Sequence, residues 1–151
     1  MSTTTSSPAT PASSPGAAAP LPASARFLRR VLWLDAGAGL ATGALQLLLP
    51  TWLAGWLGLP QALLVESGWA MLAFSAYISF LATRRQIPPA GVWLLIVGNV
   101  GWALGCLALI FGAGLTPTLV GTVFLAVQAF WVCLMAELEW VGLRKAVASR
   151  W

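Results

Sequence analysis

Histidine is absent from this chain, tyrosine occurs once and cysteine twice. Without histidine, the commonest general base near neutral pH and the commonest neutral metal ligand are both missing. The sequence has no CxxC, no HExxH and no glycine-rich phosphate loop followed by lysine. No nucleophile–base pair can be named. The expectation is therefore a non-enzymatic protein that needs no cofactor and no metal.

Charge is scarce as well. Only 8% of residues are charged and 59% are hydrophobic, whereas a soluble domain carries about a quarter charged residues. The apolar residues fall in long runs, four of which match the roughly 20 residues that a bilayer core demands. They cover about 27–49, 62–82, 91–111 and 118–138. Prolines stand at their edges (Pro50, Pro88, Pro89, Pro117) and none interrupts an interior, so four unbroken helices are expected.

All eight basic residues, Arg26, Arg29, Arg30, Arg84, Arg85, Arg144, Lys145 and Arg150, lie on one side of this arrangement. The loops at 50–61 and 112–117 carry none. That asymmetry predicts both termini on the cytoplasmic side. It also argues against nucleic acid, which needs a basic face on a water-soluble element. Trp33, Trp93 and Trp140 fall near the inner interface, and Trp52, Trp56 and Trp69 near the outer one, as an aromatic belt does. The fold expected is all-α, an integral membrane bundle of four antiparallel transmembrane helices over residues 25–146. A Ser/Thr/Pro/Ala-rich tail over 1–24, without the basic n-region and the unbroken apolar stretch of a signal peptide, is expected to be disordered, and 147–151 are expected to form a short cytoplasmic tail. The segment 50–61, apolar and bracketed by prolines, is expected to lie in the interface plane.

Polar residues inside such spans are the candidates for function. On the first helix Asp35, Gly39, Thr42, Gly43 and Gln46 share one face, with Gly39 and Gly43 in a GxxxG spacing that admits a neighbouring helix. The third span carries Gly98, Gly101 and Gly105 as a second close-packing face, flanked by Asn99. On the fourth, Gly121, Gln128, Val132, Met135 and Glu139 share a face. Counting depth at ~1.5 Å per residue puts Asp35, Asn99 and Gln128 at one inner-central level. The candidate intramembrane polar site is thus Asp35, Gln46, Glu66, Asn99 and Gln128. Glu66 reads mainly as an interfacial carboxylate, while Glu137 and Glu139 read as cytoplasmic-edge residues paired with Arg29, Arg30 or Arg84. Cys106 and Cys133 differ in depth by ~16 Å, too far for a disulfide.

The segments FLRRVLWLDAGAG and VQAFWVCLMAELEWVGLRK resemble the ends of a family of small four-helix bacterial inner-membrane proteins. The resemblance covers about 26–146 and implies fold and location, not activity. Small multidrug resistance transporters are a second four-helix comparison. They use a carboxylate in the first helix, a place that Asp35 would fill, but their Gly/Tyr/Trp-rich signature is missing here. Two functions follow. The first is an accessory or structural module that packs or oligomerises through its glycine faces, its partners being the bilayer and a second copy or another membrane protein. The second is a small transporter or proton-coupled permease that uses Asp35.

Overall fold

The computed structural model describes residues 23–112 and 114–148. The expected tail, apart from its last two residues, lies outside them, as do Arg150 and the end of the chain. The described residues form an all-helical fold: α1 (Ala23–Leu48), α2 (Pro50–Leu57), α3 (Gln61–Thr83), α4 (Pro89–Phe111) and α5 (Leu119–Ala148). Four of these, α1, α3, α4 and α5, are long and apolar enough to cross a membrane. Their outward surfaces carry large apolar side chains, among them Leu48, Phe111, Leu119 and Phe130 at 70% exposure or more. Such a surface is unstable in water but at home among acyl chains.

Two boundaries differ from the sequence-based spans. α1 is already helical at Ala23, and α5 is still helical at Ala148, well past residue 138. Charge marks where a helix leaves lipid rather than where it stops. Residues 139–148 contain no proline, and their one glycine, Gly142, serves packing: a Cβ there would lie 3.0 Å from Leu28 Cδ1. Lys145 in the last turn suits the negative end of the helix dipole.

The proline-bracketed segment forms the short helix α2. It buries Leu53 and Leu57 and turns Trp52 and Trp56 outward, their ring centroids 5.4 Å apart. The helix ends at Gly58, whose φ of 66° is the left-handed conformation that favours glycine. Thr118 then ties α2 to the start of α5. Its backbone N–H donates to Leu57 O at 3.0 Å, and its hydroxyl donates to Trp56 O at 2.6 Å. The same Oγ1 accepts from Gly121 N–H at 3.1 Å, which caps α5. A Cβ at Gly121 would collide with Leu57 O, so this contact demands glycine.

α1 packs against α3 and α5, α4 packs against α5, and α2 touches α1, α3 and α5. Two apolar clusters result. One gathers Leu28, Leu32, Ala36, Ile78, Val92, Leu95 and Leu143; the other gathers Leu53, Leu57, Leu64, Ala103, Cys106, Leu125 and Val132. Along α4, Asn99 falls between Leu95 of the first and Ala103 of the second. Along α5, Glu139 falls between Val132 of the second and Leu143 of the first. The polar residues therefore sit at the junction of the two cores.

Candidate functional site

Three helices each supply one polar side chain to that junction: Asp35 from α1, Asn99 from α4 and Glu139 from α5. All are buried, at 5%, 2% and 0% exposure. Asn99 Nδ2 donates to Asp35 Oδ2 and to Glu139 Oε2, both at 3.3 Å. An amide nitrogen has two hydrogens, so one side chain serves both acids. Both bonds are longer than the usual 2.9–3.0 Å, and Glu139 Oε1 has no partner at all. Among the described residues no Arg or Lys pairs with either acid. Two carboxylates that meet at a neutral amide in a low-dielectric interior need one positive charge between them, either a proton or a bound cation.

Glu139 was expected at the cytoplasmic edge beside Arg29, Arg30 or Arg84. That pairing is not formed. Because α5 runs on as a helix, the face shared by Val132, Met135 and Glu139 stays turned into the bundle. Arg29 Nη2 instead donates to Arg84 O at 2.7 Å, and the Arg84 guanidinium lies 4.1 Å from the centre of the Phe80 ring. Glu137 is exposed.

Gln128, placed with Asp35 and Asn99 by depth, does not join them. Its Oε1 accepts from Trp102 Nε1 at 3.1 Å. Gln46 is 2% exposed, and its Oε1 lies 3.2 Å from Ser67 Oγ. That hydroxyl also lies 3.1 Å from Leu64 O, and its one proton serves one acceptor at a time. Glu66 is exposed and stands apart from the buried group.

Glycine decides how closely the helices approach. A Cβ at Gly39 would run into Ser75 Oγ, and one at Gly43 would lie 3.0 Å from Gly68 O, so α1 meets α3 backbone against backbone. A Cβ at Gly98 would lie 2.8 Å from the Phe74 ring. The expected packing face on α4 stops there. A Cβ at Gly101 or Gly105 would meet nothing within 4 Å, because the buried face of α4 carries Val92, Leu95, Asn99, Ala103 and Cys106, and the two glycines lie off that face.

Beside the Asp–Asn–Glu group lies a cavity of about 470 Å³, bounded by α1, α3, α4 and α5. Asp35, Thr42, Ser75, Asn99 and Gln128 are the polar residues on its wall, and Phe74, Trp102, Phe124 and Trp131 are the aromatic ones. A second cavity of about 380 Å³ is lined by Gln46, Ser67, Gly101, Gly105 and Cys106. Both cavities share Trp102, Phe124 and Gln128. The Trp102–Gln128 hydrogen bond is thus part of the partition between them. Ser67, Ser75, Trp102 and Glu139 are the participants that sequence reasoning missed. For Glu139 the signal was present, since it shares a helical face with Gln128 and Met135.

Both cysteines are free, Cys106 buried and Cys133 exposed. The chain matches no protein-family model, no curated protein and no solved structure.

Proposed function

We propose that this is a non-enzymatic multi-pass protein of the bacterial inner membrane, with both termini cytoplasmic, that acts as a small proton-coupled permease. The observation that carries the reading is the placement of Asp35. It lies on the wall of a cavity and is joined through Asn99 to a second buried carboxylate. A carboxylate pair that holds a proton when the cavity is empty, and releases it when a solute arrives, is the minimal element of coupling. Gln128 and Trp102 at the partition, and Gln46 with Ser67 beyond it, continue a series of polar stations through the bundle.

The antiparallel, N-in/C-in topology rests on the distribution of basic residues. It is supported by Arg29, near the start of α1, bonding to the carbonyl of Arg84 just after α3. Composition and motifs alone weight an accessory module above a permease; the cavity reverses that order. The module reading keeps one specific support, the exposed Gly101 and Gly105, which leave room for a helix of a second copy or another membrane protein.

Cysteine accessibility tests the permease reading. In a Cys106→Ser, Cys133→Ser background, Thr42→Cys places a thiol on the cavity wall. A membrane-impermeant maleimide is expected to label it from one side of sealed vesicles. No labelling from either side, in a protein that melts like its parent, would mean a dry cavity and return the assignment to the module.

A further inference from the structure

We propose that the second cavity, lined from α1, α3, α4 and α5, binds a neutral, lipid-soluble carbonyl compound of the quinone type. The proposal goes beyond the permease reading and does not depend on it, because Asp35 is not on this wall.

Charge and size narrow the ligand first. No charged side chain lines this cavity, so an ion would enter with nothing to neutralise it. Most of the wall is leucine, with two aromatic residues, Trp102 and Phe124. Its volume of about 380 Å³ falls within the roughly 300–1,000 Å³ of sites for small organic ligands. Gly101 and Gly105 on the wall are exposed, and a Cβ at either would meet nothing within 4 Å. The cavity therefore opens on the apolar outer surface of the bundle, toward lipid, the phase in which such a ligand dissolves.

Two glutamines then define what the ligand must carry. An indole N–H can only donate, so the Gln128 carbonyl faces Trp102 at 3.1 Å and its NH2 group is turned away. Gln46 Oε1 is likewise taken, by Ser67 Oγ at 3.2 Å. Among the described residues no hydrogen bond uses Nε2 of either glutamine. Gln46 is 2% exposed, yet its nitrogen is not sealed in as the unpaired Ser75 Oγ and Glu139 Oε1 are. It lines this cavity and not the one beside Asp35, so the space that its NH2 group meets is here. A buried N–H without an acceptor is costly, and a ligand that brings an acceptor relieves the cost. Quinones meet each condition. They are neutral, their flat rings stack on aromatic side chains, and a carbonyl at each end suits donors supplied by two different helices, α1 and α5.

The test is equilibrium dialysis of the full chain in nanodiscs, with empty nanodiscs subtracted. The probes are duroquinone and durene, the hydrocarbon with the same four methyl groups and no carbonyl. The methyl groups block the ring positions at which a thiol such as Cys106 would add. Duroquinone should bind saturably, with durene about tenfold weaker or more, as loss of two hydrogen bonds implies. Gln46→Leu should weaken duroquinone about three- to tenfold and leave durene unchanged. Gly101→Leu, whose side chain enters the cavity, should weaken both compounds, and serves if Gln46→Leu fails to fold. Equal binding of the two compounds, a preference that survives Gln46→Leu, or binding unaltered by Gly101→Leu would each overturn the proposal. No saturable binding, with the mass of a dimer in detergent, would also overturn it and give the opening to a second copy. Thr42→Cys labelling reads the other cavity, so the quinone site and the permease can each fail without the other.

Discussion

Asn99 holds the junction together at the scale of single residues. It is the amide that satisfies both Asp35 and Glu139, and its loss strands two buried acids. Asn99→Leu is expected to destabilise the protein by about 1–3 kcal/mol, the range for buried polar groups left unpaired, as measured by reversible unfolding in mixed micelles. Adding Glu139→Gln to that background should recover part of the loss, because one acid then becomes a neutral amide able to donate to the other. A double-mutant cycle with additive effects would show that Asn99 and Glu139 do not interact. Gln46→Leu provides the contrast. Its contact with Ser67 is an ordinary interhelical hydrogen bond, of about 0.6 kcal/mol on average in membranes, so the same assay should barely register it.

Between elements, stability depends on where backbones touch. Thr118 joins α2 to α5 with its N–H and with both functions of its hydroxyl. Thr118→Val keeps the shape and the N–H but removes the cap. A loss of about 1–2 kcal/mol is expected, together with faster proteolysis around residue 58. The glycines of α1 and α4 should separate cleanly. Gly43→Ala places a methyl group 3.0 Å from the backbone oxygen of Gly68, whereas Gly105→Ala points into open space. The first should lower the melting temperature and the second leave it unchanged. If Gly105→Leu also altered the molecular mass in detergent, the exposed glycines would belong to a contact between copies.

For the whole molecule, the asymmetric distribution of basic residues makes a topology prediction. Reporter fusions after residue 148 should be active only in the cytoplasm, and insertions near residue 114 only outside it. Replacing Arg84 and Arg85 with glutamine should raise the fraction of inverted or misinserted chains, because the connection between α3 and α4 then loses the charges that retain it. Arg84→Gln alone should have little effect on packing. What Arg84 gives to α1 is its backbone carbonyl, which glutamine retains.

The sequence by itself determined that the chain forms four helices long and apolar enough to cross a membrane, and that Asp35 and Asn99 lie at one level, where a hydrogen bond joins them. These follow from hydropathy, proline placement and helical rise, all local properties of the chain. It also identified Gly39, Gly43 and Gly98 as close-approach positions. Only the tertiary structure decided which faces meet. Depth places residues along the membrane normal but says nothing of rotation about each helix axis. Gln128 was therefore grouped with Asp35, although it turns toward Trp102. Glu139 was assigned to the edge because its span was ended where hydropathy falls, yet a helix continues past the end of its apolar run whenever nothing breaks it. The partner of Asp35 and Asn99 was legible as a face and invisible as a contact. The cavity was not legible at all, since an empty volume belongs to the arrangement of four helices and to no one segment of the chain.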